Sequence, residues 1–86
     1  MLKVEYSKQA VRFLSKLARQ EARNILKKIG QYAKNPEELE NKVRKLVGSP
    51  YIRLRVGDYR IIFTEMGEVM KIEKIGHRKD VYKRGV

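Results

Sequence analysis

Three observations predict an α+β fold: an N-terminal strand, a helical hairpin, then a three- to four-stranded antiparallel meander. Apolar residues keep helical spacing from Ala10 to Ala33, then alternate as in strands from Val43 to Ile75, and 86 residues leave room for one domain over 1–86. The first element is "LKVEY", where Leu2, Val4 and Tyr6 alternate with Lys3 and Glu5 as in a half-buried strand. Ser7 can cap the helix that follows. One unbroken helix over 8–33 would be about 39 Å long at 1.5 Å per residue. A chain of this length has a radius of gyration of only ~12 Å. The helix is therefore expected to break, around Ala18–Glu21, into a hairpin. Pro36 ends the helical region, and the acidic "KNPEELEN" reads as a loop with at most one helical turn.

From residue 42 the pattern changes. "KVRKLVG" is a short strand closed by "GSP"; residues 51–56 and 59–65 form a hairpin around "GD"; "MGE" is a second turn; and Val69–Ile75 is the last long strand. Gly76 is expected to bend the chain before "HRKDVY". A two-residue loop at 57–58 sets Val56 against Tyr59, Arg55 against Arg60 and Arg53 against Ile62. Ile52, Leu54, Val56, Tyr59, Ile61 and Phe63 then share the core face, and Arg53, Arg55, Arg60 and Ile62 share the other.

Charge narrows the function. Twenty-one Lys and Arg against ten Asp and Glu give a formal net charge of +11, split +4 over residues 1–41 and +7 over 42–86. A field this positive favours a polyanion. The longest apolar run is Ile61-Ile62-Phe63, so no segment can span a membrane, and the N-terminus turns polar too early for a signal peptide. The absence of cysteine removes disulfides and thiolate chemistry and fits a cytoplasmic protein. One histidine and scattered acids argue against bound zinc or magnesium, and no Gly-rich phosphate loop or nucleophile elbow is present. No metal and no small-molecule cofactor is expected, so catalysis would fall to Arg, Lys, Tyr and His.

Directly opposed arginines such as Arg55 and Arg60 cost stability unless an anion lies between them. The guanidinium fork fits phosphate and stays charged. A solvated face with Glu65, Glu68 and Glu73 as counterions fits the periodicity equally well. The segment "GHRKDVYKR" favours phosphate, because it brings His77, Arg78 and Tyr82 towards the arginine-bearing face.

"RLRVGDYRIIF" followed by "IGHRKDVY" resembles the RelE toxins of the RelE/ParE superfamily of type II toxin–antitoxin systems, over nearly the whole chain. The resemblance implies a ribosome-dependent mRNA endonuclease that cuts the A-site codon by attack of a 2′-hydroxyl on the adjacent phosphate, without metal. It implies contact with mRNA and the 16S rRNA surface of the ribosome, and inhibition by an acidic RelB-like antitoxin. By position, the catalytic set would be Arg53, Arg60, His77, Arg78 and Tyr82, with Arg55, Lys79 and Lys83 binding RNA. The family often carries two lysines on the strand of Arg53; here that strand offers Tyr51, Arg53 and Arg55. The competing expectation is a ParE-like inhibitor of DNA gyrase that acts by binding alone.

Overall fold

The computed structural model describes residues 1–81. Its elements are β1 (Lys3–Tyr6), α1 (Lys8–Lys16), α2 (Arg19–Lys34), a 3₁₀ segment (Pro36–Lys42), β2 (Val43–Lys45), β3 (Ile52–Val56), β4 (Tyr59–Met66) and β5 (Val69–His77). The strands form one mixed five-stranded sheet in the order β1-β5-β4-β3-β2. The expected meander is present as β2 to β5, and β1 joins it in parallel beside β5, pairing Lys3 with Val69 and Tyr6 with Ile72.

The helical break falls slightly earlier than the hydrophobic pattern suggests. Leu17 and Ala18 both have extended backbone, so α1 ends at Lys16 and α2 starts at Arg19. Ser7 caps α1 as expected, its hydroxyl accepting the Ala10 N–H at 3.1 Å. Rather than packing as a closed pair, α1 lies along β5 while α2 reaches β1 and β3. "PEELENK" is not a loop but a 3₁₀ segment kinked at Leu39, whose side chain is buried in the core.

The core lies between the helices and one sheet face. Ile25, Ile29, Tyr32 and Ala33 of α2 and Ala10 of α1 meet Ile52, Leu54, Val56, Ile61, Phe63, Met70, Ile72 and Ile75. The hairpin register is the expected one: Val56 faces Tyr59, Arg55 faces Arg60 and Arg53 faces Ile62. In the Gly57–Asp58 loop only Gly57 has positive φ (57°), the pattern of a type II′ turn, which suits the twist of the flanking strands.

Beyond Tyr6, β1 leaves β5, and α1 takes over the exposed strand edge. The Ser7 hydroxyl donates to the Glu73 carbonyl at 2.7 Å. The Gln9 side-chain amide then pairs with Ile75 as a strand would: its Nε2 donates to the Ile75 carbonyl and its Oε1 accepts the Ile75 N–H, both at 2.9 Å. This satisfies backbone groups that would otherwise invite another strand.

Tyr32 closes the core from α2. Its ring packs edge-on to Phe63 with centroids 5.1 Å apart, and its hydroxyl donates to Glu65 at 2.9 Å. Burial, then the Glu65 hydrogen bond, push the phenol from its ordinary value near 10 up to about 12. The folded state thus retains this proton at a pH where the unfolded chain gives it up, so stability falls as pH rises from 10 to 12. Urea midpoints measured at pH 9 and pH 11 should show that loss, and Tyr32→Phe should remove this residue's share of it.

Candidate functional site

The sheet face away from the helices carries the cations. Arg53, Arg55 and Arg60 lie there, as the hairpin register requires. Strand β2 adds a residue that the hairpin alone does not reveal: Arg44 pairs directly with Arg53. Strand β5 adds Lys74 opposite Ile62, so Arg44, Arg53, Ile62 and Lys74 form one row across four strands. The signal for Arg44 was present in "VRKLVGSPYIRLR", where the GSP breaker folds 43–45 back on 52–54. Like charges directly opposed on neighbouring strands each cost about 0.2–1 kcal/mol, a cost that an anion between them offsets.

Arg60 and Arg78 converge on the β3–β4 turn. The Arg60 Nη1 donates to the carbonyls of Gly57 (2.9 Å) and Tyr59 (3.0 Å), which lays the guanidinium over the loop. The backbone N–H of Arg78 donates to the Asp58 carbonyl at 2.7 Å, and its Nε stands 3.5 Å from Asp58 Oδ1. Both side chains of that ion pair are more than half exposed, so the pairing orients Arg78 without neutralising it. Of the three acids offered as counterions, Glu65 accepts from Tyr32 on the helix side and Glu73 accepts from the Thr64 hydroxyl at 3.0 Å. Glu68 belongs to the β4–β5 turn, at the other end of β4 from Arg60.

Gly76 does not bend the chain. Strand β5 runs straight through it to His77, and Gly76 instead admits Val81. A β-carbon on Gly76 would stand 3.2 Å from the Val81 Cβ and 3.3 Å from its Cα. Arg60 pairs with Gly76, so Val81 packs on the arginine-bearing face and is fully buried there. The tail therefore folds onto this face, held by Asp80 and Val81 N–H bonds to the His77 carbonyl at 2.8 and 3.0 Å. Gly76→Ala is expected to cost about 1–3 kcal/mol by overpacking against Val81, read as a lower urea midpoint.

His77 is the exception to the expected grouping. A bulge in β5 between the partners of Ile62 and Phe63 shifts the alternation, so that Ile75 and His77 return to the helix side. The His77 ring meets Tyr59 edge-on at 5.9 Å, and Tyr59 meets Phe13 at 6.0 Å. The sequence signal for this shift is "IEKI", two polar residues in a row between two core isoleucines. His77 borders an edge cavity of about 380 Å³ with Gln9, Phe13, Lys74 and Asp80. Its Nδ1 accepts the Lys79 N–H at 3.2 Å, so the neutral ring carries its proton on Nε2 and can donate there. Tyr59, which donates its hydroxyl to Glu21, has its pKa raised chiefly by that hydrogen bond and remains a neutral phenol. Tyr82 and Lys83 lie outside the described residues. Among the described residues, no group of acids and histidine is arranged to hold a metal ion, and no helix is long and apolar enough to cross a membrane.

The chain is similar to known toxins. The ParE toxin family of type II toxin–antitoxin systems, parDE, matches residues 4–82. Among solved structures, the archaeal RelE of the RelE–RelB complex from Pyrococcus horikoshii OT3 is 30% identical, with a TM-score of 0.77 over 92% of this chain and 97% of that one. The RelB–RelE complex from Methanococcus jannaschii is matched at 25% identity and a TM-score of 0.67, covering 92% of this chain and 95% of that one. The isolated E. coli RelE toxin shares the fold at 21% identity and a TM-score of 0.73, covering 98% of this chain and 94% of that one. No curated protein matches. The chain belongs to the RelE/ParE superfamily and is a toxin of the type II toxin–antitoxin class.

Proposed function

We propose that this toxin is a ribosome-dependent mRNA endonuclease. The observation that carries the reading is the convergence of Arg60 and Arg78 on the Gly57–Asp58 turn, at one end of a face that also bears Arg53 and Arg55. In the reaction the RNA 2′-oxygen attacks the adjacent phosphorus and the P–O5′ bond breaks. The products are a 2′,3′-cyclic phosphate and a 5′-hydroxyl. The pentavalent phosphorane carries more negative charge than the phosphodiester, so guanidinium groups already in place favour it over the ground state. Arg53, Arg60 and Arg78 would hold that charge, and Arg44, Arg55, Lys74 and Lys79 would track the flanking backbone. The arginines stay protonated and cannot carry the proton traffic. His77 and Tyr82 are the candidates for the proton transfers, one taking the 2′-hydroxyl proton and the other protonating the leaving 5′-oxygen, and His77 would reach the RNA only across the sheet edge from the helix side. The partner that restrains the toxin would be an acidic RelB-like antitoxin, a reading supported by the RelE–RelB complexes it resembles.

Purified toxin added to a translating extract should yield mRNA 5′ ends that map within the A-site codon. Intact ribosome-bound mRNA at saturating toxin would end this reading. The match to the ParE family favours a second reading, inhibition of DNA gyrase by binding. That reading expects gyrase-dependent double-strand breaks in plasmid DNA and no mRNA cleavage.

A further inference from the structure

The charge of the chain is not concentrated on the sheet. Residues 8–34 hold eight Lys and Arg and a single acid, Glu21, a net +7 of the chain's +11. Glu21 turns away to accept the Tyr59 hydroxyl. On α1, Lys8, Arg12 and Lys16 recur every four residues and are all exposed, opposite the buried Ala10. On α2, Arg19, Arg23 and Lys27 do the same, opposite Ile25 and Ile29. Residues four apart on a helix stand about 6 Å apart along one stripe. Among the described residues, none of these six makes an ion pair.

We propose that the solvent side of α1 and α2 is a second polyanion surface, which holds duplex RNA while the sheet face holds a single strand. The helices cover the opposite side of the sheet from Arg53, Arg55 and Arg60, so the two surfaces face away from each other. Even the shortest principal extent, 24 Å, is about three times the screening length of ~8 Å at physiological salt, so each surface acts on its own ligand. The composition selects the kind of partner. Protein interfaces centre on apolar and aromatic residues with a charged rim. Here the outward stripes are completed by Ser15, Gln20 and Asn24, and the large apolar residues exposed there, Val11 and Leu26, stand singly, one on each helix. A surface of long cations and small polar groups fits a phosphate backbone read by shape, as duplex RNA is. The preference for RNA over DNA rests on the nuclease reading; the existence of the surface does not.

Fluorescence anisotropy with a labelled 20-base-pair RNA duplex tests this on the intact toxin. Arg12→Ala/Arg23→Ala/Lys27→Ala should weaken duplex binding at least tenfold at 0.15 M salt. It should also flatten the slope of log K against log salt by about 2–3, near 0.9 for each phosphate no longer neutralised. All three sites are exposed helical positions where alanine is a good helix former, so the variant should fold, which circular dichroism checks. A 2′-O-methyl single strand should leave the duplex bound and raise the anisotropy further. Arg53→Ala/Arg60→Ala should weaken the single strand and leave duplex affinity within about twofold. Unchanged duplex affinity in the helix variant, or full displacement by the single strand, overturns the proposal. Equal or tighter helix-dependent binding of duplex DNA, or of polyglutamate of matched charge, overturns the RNA assignment. Cleavage in the translating extract is read separately, so loss of the nuclease reading would leave these binding results standing.

Discussion

Arg78→Ala is expected to slow mRNA cleavage by about 10²–10³-fold while leaving the fold as stable as before. The magnitude is that of removing one preorganised donor from a charge that develops in the transition state, about 2.7–4 kcal/mol. The stability half of the prediction follows from where Arg78 is anchored. Its backbone N–H bond to the Asp58 carbonyl survives the substitution, and only the exposed ion pair disappears. Exposed pairs contribute about 0–1 kcal/mol, so the urea midpoint should barely move. Arg78→Lys should recover part of the rate, because an ammonium restores the charge but not the two-pronged fork. Single-turnover cleavage on stalled ribosomes, paired with urea titration, separates the two effects. A wild-type rate in Arg78→Ala would remove Arg78 from the site. A slow rate with an equally large loss of stability would make it a structural residue instead.

The parts of this site that are legible in the sequence are those fixed by counting. A two-residue loop leaves one register for the β3–β4 hairpin, so the placement of Arg53, Arg55 and Arg60 opposite the core face follows directly. Long-range pairing has no such arithmetic. Nothing in "KVEY" says that it will lie parallel to β5, because its partners are 66 residues away and four residues carry little pattern. The β5 bulge is intermediate: "IEKI" announces it, but plain alternation extended to residue 77 puts His77 with the arginines. A glycine at 76 suggests a flexible bend, whereas its use here is the absence of a side chain beneath Val81. The helical charge is hidden when the chain is divided at residue 41, since the acids of the 3₁₀ segment offset it in that sum but not on the surface.

The largest stability effect is expected at Phe63. Its side chain is fully buried at the centre of β4, with Ile52 and Ile72 as its strand neighbours and the Tyr32 ring edge-on at 5.1 Å. Phe63→Ala removes this packing and leaves a cavity that the flanking strands, fixed by their ladders, cannot close, at a cost of about 3–5 kcal/mol. A domain of 86 residues has about 4–13 kcal/mol in total, at roughly 0.05–0.15 per residue. The variant should therefore melt tens of degrees lower, at about 4–8 °C for each kcal/mol. Phe63→Leu, which keeps most of the volume, should lose much less. Because Phe63 lies on the helix side of the sheet, cleavage measured well below the melting point should survive the substitution, unlike that of Arg78→Ala. An antitoxin that binds only the folded toxin should raise the melting point again, by about 2.7 kcal/mol of stability at a hundred times its Kd. A shift of less than about 1 kcal/mol for Phe63→Ala would mean that the core is not organised around this ring.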